Sequence, residues 1–424
     1  SVIHTISPNG NITLQKLISQ NIVKGGDIIE YESGIYSTPQ RIDWYKSMPD
    51  NNPVTIRAKK GANVIFDCTG NKESYIVGFD IPYASNYEVI GPFTVKNCGH
   101  NSVRVLQGNN ILISNFTIYD SVNWAIMASG NNVTIENNYI KECVTKNKYC
   151  TDQWNQCIAS LGYNESKGIS STNFIIRNNT IINSYGEAID IISTEGALVS
   201  NNTMINAFPS GVYVDNGQNV IIEKNIVIQQ EAKSHCTKYP YNFHAFSVAS
   251  EGWVVKPIPL INITIKNNFA WGCSQGVGFW GYSNENYYIN LSIVHNTFYN
   301  LQYAAMYFEN KCKKTPSGNQ ILNNFFMSNF NKSGILINSQ DLFSWNIGGN
   351  VYYGIDKIGI PDTIIIDKKY TSIAFPYNTS VKEFFDNEIC NDESYNKSNI
   401  NLDCYIPGNN SKLFNTGIQS KFSD

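Results

Sequence analysis

Three stretches decide the fold: IRNNTI at 176–181, VSNNTM at 199–204 and IEKNIV at 222–227. Each reads apolar-x-x-Asn-x-apolar, and Asn179, Asn202 and Asn225 follow one another at intervals of 23 residues. Outward from them the phrase recurs as IENNYI at 135–140, IKNNFA at 265–270, IVHNTF at 293–298, ILNNFF at 321–326 and IGGNVY at 347–352. Its Asn then falls at Asn138, Asn268, Asn296, Asn324 and Asn350, while Phe93 and Phe116 hold the same place in two earlier repeats. The steps from 138 to 179 and from 225 to 268 are longer, either two repeats or one repeat plus a loop. A fixed period of this length is the mark of a solenoid.

Each repeat carries a second phrase, a short alternating strand: SVRVL at 102–106, AIMAS at 125–129, CIASL at 157–161, AIDII at 188–192, GVYVD at 211–215, AFSVA at 245–249, GVGFW at 276–280, AMYFE at 305–309 and GILIN at 334–338. Alternation of apolar with variable residues marks a half-buried strand. No helical period long enough for a crossover helix runs through the repeats, and the LxxLxLxxN phrase of leucine-rich repeats is absent. Short strands repeating without helices predict stacked coils, each strand pairing in parallel with its equivalent ~4.8 Å along the axis. Parallel crossovers are right-handed. The expected fold is therefore all-β, a single-stranded right-handed parallel β-helix over 61–354, with the recurrent Asn stacked at one turn as a ladder. Residues 1–60 read as an N-terminal cap and first strands, with Thr13–Ile22 as a short amphipathic capping helix; residues 355–424, where the Asn phrase stops, read as an irregular C-terminal cap.

Composition narrows the setting. Charged residues are 15 % and the formal net charge is −3, so no basic field exists for nucleic acid or an anionic membrane. No apolar run is long enough to span a bilayer. Ten cysteines without a CxxC pair or a Cys/His metal spacing point to disulfides in an oxidising compartment, with no metal or other cofactor implied. Cys390 and Cys404, the cysteines of the tail, are expected to pair. Cys143, Cys150, Cys157 and Cys236 lie in the segments 141–157 and 226–243 and are expected to be bridged, with Cys273 and Cys312 as candidate partners of Cys236. Sequons begin at Asn11, Asn115, Asn132, Asn164, Asn178, Asn201, Asn262, Asn290, Asn331, Asn378, Asn396 and Asn409. The chain opens at Ser1, which is consistent with a removed leader. Together these imply a secreted, extracellular glycoprotein.

At this point the residues resemble a known group, the right-handed parallel β-helix proteins of the pectate-lyase-like superfamily. GDIIEYESGIYS at 26–37 followed by PVTIRAKKGANVIFD at 53–67 looks like that superfamily's entry, and GNNSKLFNTGI at 408–418 is similar to its exit. GEAIDI at 186–191, GVYVDN at 211–216 and FSVASEG at 246–252 resemble phrases of secreted bacterial β-helix proteins presumed to act on polysaccharide, whose acidic residues line a groove. The resemblance marks Glu187, Asp190, Tyr213, Asp215 and Glu251. It also implies a Lys shortly after the first Asp, where this chain has Ile192.

The repeat register gives a reading of its own. If the apolar residues of the second phrase point inward, their neighbours stack outside in columns. One column is Arg104, Met127, Ala159, Asp190, Tyr213, Ser247, Gly278, Tyr307, Leu336; the next is Leu106, Ser129, Leu161, Ile192, Asp215, Ala249, Trp280, Glu309, Asn338. Asp190 and Asp215 should lie one coil apart and two residues offset, with Cα atoms roughly 8 Å apart. That suits an inverting glycosidase, one carboxyl acting as acid and the other as base on a water. Both are expected to face open space, with Tyr213, Trp280, Tyr307 and Glu309 shaping a sugar groove. The competing reading of Asp215 is a turn starter before Asn216-Gly217, and that of Trp280 and Tyr307 is packing under a loop. His244 is expected to be structural. Two functions compete: binding or processing of extracellular polysaccharide, by hydrolysis rather than elimination, and a non-catalytic structural glycoprotein that self-associates into a fibre or coat. The low charge, Ile192 and the spread of sequons favour the second. Glycans that leave the columns bare would favour the first.

Overall fold

In the computed structural model the chain is described over residues 1–375, apart from 71–76, 162–167, 231–233, 241–242, 255, 282–286, 309–316, 333–334, 338–344, 356–372. The expected tail, with Cys390, Cys404, Asn378, Asn396 and Asn409, lies outside the described residues, as do Asn164, Glu309, Cys312 and Asn338; for Asn331 the side chain does.

Every strand pairing is parallel, and the pairs join equivalent positions of successive coils. One ladder runs through Gln156–Ser160, Glu187–Ile192, Ser210–Asp215, His244–Ser250 and Gln275–Gly281. A second runs through Ser171–Arg177, Thr194–Ser200, Gln218–Glu223 and Leu260–Lys266. A third runs through Thr180–Ser184, Thr203–Ala207, Ile226–Ile228 and Phe269–Trp271. This is the stacked-coil solenoid expected from the period. Ladder pairing begins already at Ile3–Ile6 on Ile28–Tyr31, and continues to Ile373–Phe375 on Val351–Ile355, beyond both ends of 61–354. A helix over Leu14–Ser19 opens with the Thr13 hydroxyl accepting from the Lys16 N–H, and its Leu14, Leu17 and Ile18 join the core. No helix among the described residues is long and apolar enough to cross a membrane.

The interior is one continuous apolar column, in which Ile189 stacks on Val212 and Val212 on Phe246. The turn between the second and third ladders carries the recurrent Asn. Asn179 Nδ2 donates to Asn202 Oδ1 and Asn202 Nδ2 to Asn225 Oδ1, each at 3.0 Å, and the chain of amides runs from Asn138 to Asn350. Each Oδ1 also accepts the backbone N–H of the Asn one coil before, as Asn202 does from Asn179 at 3.0 Å. Phe116 donates its N–H to Asn138 Oδ1, which places it in the register position read for it. Buried turn amides that would otherwise lack partners are thereby satisfied coil by coil.

Among the described residues three disulfides join Cys68 to Cys98, Cys143 to Cys157 and Cys150 to Cys236. The expected bridging of 143, 150, 157 and 236 is present, but the partner of Cys236 is Cys150, not Cys273 or Cys312. The segments 141–157 and 226–243 pack side by side, with His235 against the Asn147 carbonyl at 3.1 Å and Lys238 on Asp152 at 2.7 Å. Cys273 is buried with a free thiol.

Candidate functional site

The first ladder bears the site. Its register reproduces the first predicted column from Arg104 through Met127, Ala159, Asp190, Tyr213, Ser247, Gly278 and Tyr307 to Leu336. Of the second column it pairs Ile192, Asp215, Ala249 and Trp280. Asp190 lies opposite Tyr213 and Asp215 opposite Ile192, so the two Asp are one coil apart and two residues offset.

Strict alternation fails at the start of this strand. Ala188, Ile189 and Ile191 all belong to the core, whereas Glu187 and Asp190 face outward into one cleft. The chain bends at a corner there, which adds a column that the period-2 reading leaves out. Gln156 pairs with Glu187, and Trp124 donates its indole N–H to Gln156 Oε1 at 2.8 Å.

The cleft measures about 570 Å³ and brings together Glu187, Asp190, Tyr213, Asp215 and Glu251 with Trp124, Trp154, Gln156 and Trp253. The expectation that Asp190 and Asp215 stand in open space is not met: each is 1 % exposed. Segments from outside the repeat wall them in. After Ser250 the chain folds back over the face, and Trp253 donates its indole N–H to Asp215 Oδ2 at 2.6 Å. Asp215 Oδ1 accepts from Asn216 Nδ2 at 2.7 Å and from the Glu251 N–H at 3.3 Å. The turn role of Asp215 is thus real, yet its other oxygen is held from the cleft wall. Trp154 stacks on Phe208 at 5.6 Å and also lines the cleft, in the segment tied down by the Cys150–Cys236 bond. Tyr213 donates its hydroxyl to Glu251 Oε1 at 2.7 Å.

The electrostatics follow from four carboxyl groups sharing a buried site without a Lys, Arg or His among the lining residues. Burial, reinforced by Glu251, pushes Glu187 up to about 8. Burial and the neighbouring Glu187, Asp215 and Glu251 push Asp190 well above the carboxylate range. Asp215 and Glu251 are raised by burial too, opposed by the Trp253 N–H at Asp215 and by Tyr213 and Trp253 at Glu251. Like charges in a low-dielectric site cannot all ionise, so the cluster retains protons near neutral pH. Glu187 Oε2 and Asp190 Oδ1 are buried without a hydrogen-bond partner, and two free acceptor oxygens in a cleft are positions for hydroxyl donors.

Other expectations fall away from the cleft. Tyr307 is half-buried, three coils beyond Tyr213 in the same column, and does not line it. Trp280 belongs to the strand Gln275–Gly281, but its side chain is outside the described residues. His244 is buried, held neutral with its pKa pushed down to about 3 by burial, and near Ser247 Oγ at 3.4 Å; it too is absent from the lining. Sequence reading missed Trp124, Trp154 and Trp253. Trp253 follows Glu251 by two residues, and Trp124 stands just ahead of AIMAS, where a corner column would have found it.

Comparison with known proteins agrees with this architecture. The family described as right handed beta helix region matches residues 81–250. An alginate lyase from Paenibacillus sp. superposes with a TM-score of 0.54 at 15 % identity, covering 72 % of this chain and 98 % of that one. A hyperthermoactive exopolygalacturonase from Thermotoga maritima gives 0.55 at 11 %, covering 82 % and 91 %. The tailspike protein of E. coli bacteriophage HK620, in complex with a pentasaccharide, gives 0.53 at 12 %, covering 88 % and 76 %. No curated protein matches at significant similarity. The chain is similar to these proteins in fold, a right-handed parallel β-helix.

Proposed function

We propose that this right-handed parallel β-helix protein is secreted and N-glycosylated, and that it hydrolyses extracellular polysaccharide in the carboxyl cleft. The observation that carries the reading is the convergence of Glu187, Asp190, Asp215 and Glu251 with three Trp and Tyr213 in one cavity of about 570 Å³. That volume suits one or two sugar units, and aromatic walls stack on pyranose C–H faces while carboxyls bond hydroxyls.

Asp190 is the general acid in this reading. It is fully buried, flanked by three carboxyl groups, and its Oδ1 accepts no hydrogen bond, so it keeps the proton that a leaving glycosidic oxygen needs. Asp215 is the base. Three N–H donors, from Trp253, Asn216 and Glu251, favour its ionised form and oppose the burial and the Glu251 carboxyl that push it up. One coil of ~4.8 Å and a two-residue offset separate the backbones by roughly 8 Å, compatible with the ~6.5–9.5 Å carboxyl spacing that leaves room for a water. Elimination is disfavoured. Abstracting a C–H proton next to a uronate carboxylate calls for a cationic neutraliser, and the expected Lys position is the buried Ile192.

The disulfides support an oxidising, extracellular setting. The sequon residues with described side chains, Asn11, Asn115, Asn132, Asn178, Asn201, Asn262 and Asn290, are all exposed, and none lines the cleft. Glycans there leave the groove accessible, which favours it over a fibre sheathed around its girth. The β-helix proteins of similar fold, an alginate lyase, an exopolygalacturonase and a tailspike in complex with a pentasaccharide, agree with a glycan ligand. The test is incubation with a panel of plant, algal and microbial polysaccharides, reading new reducing ends and the ultraviolet absorbance of unsaturated ends. Reducing ends without unsaturation are expected. Unsaturated ends would overturn hydrolysis, and no depolymerisation of any polymer would overturn catalysis.

A further inference from the structure

Exposed aromatic side chains of the described residues fall in two places besides the isolated Tyr149 and Tyr303. Trp154 and Trp253 wall the cleft, and Trp44, Tyr45 and Tyr83 form a separate shelf, 43 %, 70 % and 37 % exposed. In the shelf Tyr83 stacks on Trp44 with centroids 5.5 Å apart and on Tyr45 at 5.2 Å. Tyr45 and Tyr83 both adopt positive φ, 61° and 54°, and are the two tyrosines among positive-φ positions otherwise held mostly by Asn. Bulky residues take the left-handed region only where surroundings hold them there. The Tyr45 N–H bonds the Pro82 carbonyl and the Tyr83 N–H the Leu106 carbonyl, so the ladder itself holds the shelf out in water.

Beside the shelf the first column begins with charge. Asp80, fully buried, accepts from Arg41 Nε at 2.8 Å and from Arg104 Nε and Nη2 at 2.9 and 2.8 Å. Two guanidiniums thus surround one carboxylate, and each keeps N–H donors that Asp80 does not take. With Asp43 and Lys46 of the same turn the patch carries three cations and two anions, a net positive charge in a chain that is negative overall. Arg41 and Asp80 precede Trp44 and Tyr83 by three residues each, so cations and rings sit roughly 10 Å apart across the face. Register runs from Asp80 through Arg104, Met127 and Ala159 to Asp190, four coils or roughly 19 Å along the same column. Between the two lies an apolar stretch of Leu106, Met127, Ala159, Leu161 and Ile192 under Trp124 and Val254.

We propose that the shelf and its arginine pair are a distal saccharide subsite that takes an acidic sugar unit, so that the polymer held in the cleft is an anionic heteropolysaccharide. This rests on the hydrolase reading of the cleft. The two ends of the face are chemically opposite. The carboxyl cleft repels a uronate and accepts a neutral unit, whereas the guanidiniums offer a carboxylate or sulfate charge-assisted hydrogen bonds and the rings a stacking surface. A pyranose unit is about as long as a coil is high, so a chain that runs parallel to the axis above this covered apolar stretch, with a neutral unit in the cleft, reaches the shelf four or so units away.

The test is calorimetric titration of the Asp190→Asn protein, which prevents turnover, with octasaccharides of hyaluronan and chondroitin sulfate, each beside its carboxyl-reduced or desulfated counterpart and the matching trisaccharide. At least one acidic octasaccharide should bind about tenfold more tightly than its neutral counterpart. Added Trp44→Ala or Arg41→Gln should remove most of that advantage, with trisaccharide binding and melting temperature unchanged. Trp44 is exposed and Arg104 still pairs Asp80, so both variants keep the fold; if Arg41→Gln does not, Trp44→Ala decides. Acidic octasaccharides that bind equally to the Trp44→Ala protein overturn the subsite while the cleft reading stands. Binding that depends on Trp44 with no cleavage by the wild-type protein supports the subsite and overturns hydrolysis. No binding by any octasaccharide overturns the subsite, and the reducing-end panel then decides the cleft reading by itself.

Discussion

Glu187→Gln tests whether the cleft stores protons. An unfolded chain ionises Glu187 near its ordinary value of 4.5, whereas in the fold burial and Glu251 push it to about 8. The sign follows from linkage. Below pH 4.5 both states hold the proton and the site costs nothing. Between 4.5 and 8 only the unfolded state releases it, so stability falls as pH rises, and above 8 the loss is complete. At about 1.36 kcal/mol per unit, the interval from pH 5 to pH 8 removes on the order of 4 kcal/mol through this group. For a chain of 424 residues that is a fall in Tm of roughly 4–5 °C. Thermal melts at fixed scan rate and ionic strength from pH 5 to 8 should show a fall at least this large for the wild type, since Asp190, Asp215 and Glu251 are raised too, and a fall smaller by about this amount for Glu187→Gln, with the two curves diverging most at pH 8. A wild-type Tm that is level or rises over this range, or a variant with the same slope, would refute the idea that the cleft holds carboxyl groups protonated.

Other predictions concern the scaffold. Asn202→Ala removes four hydrogen bonds, two donated to Asn225 Oδ1 and the Ile176 carbonyl and two accepted from Asn179; with buried partners left unmade it should cost about 2–4 kcal/mol in denaturant unfolding, and a cost under ~0.5 kcal/mol would contradict the ladder's role. Peptide mapping of the unreduced protein should return Cys68–Cys98, Cys143–Cys157 and Cys150–Cys236, with the buried Cys273 alkylated only after denaturation; modification of Cys273 in the native protein would contradict its placement. Glycopeptide analysis of secreted protein should find glycans at exposed sequons such as Asn132, Asn178, Asn201 and Asn262, whereas a chain carrying none would count against the secreted-glycoprotein reading.

The coil was legible because one interaction repeats. Asn138 to Asn350 occupy the same turn in successive coils, so the sequence period is the hydrogen-bond ladder written out. The first outward column was legible for the same reason, and the Asp190–Tyr213 and Ile192–Asp215 pairs fall in the register read from spacing alone. The cleft walls were not. Trp154, Trp253 and the Cys150–Cys236 bond lie in segments between the repeat phrases, where no period constrains position. Nor does the sequence of Asp190 and Asp215 disclose their burial, which depends on the chain after Ser250 folding back over the face. The corner at Glu187 breaks the two-residue alternation, so it was found through resemblance and not through pattern.

The central claim is that Asp190 and Asp215 cleave a glycosidic bond. The direct measurement is turnover of the polysaccharide identified by the reducing-end panel, comparing wild type with Asp190→Asn and Asp215→Asn. Removal of a general acid or base typically lowers rate ~10²–10⁴-fold. The account predicts a loss of at least about 10²-fold for each variant, an inverted anomer in the wild-type product by NMR, and unchanged far-ultraviolet circular dichroism. Variants that turn over at the wild-type rate, or that lose activity only because they unfold, would contradict it.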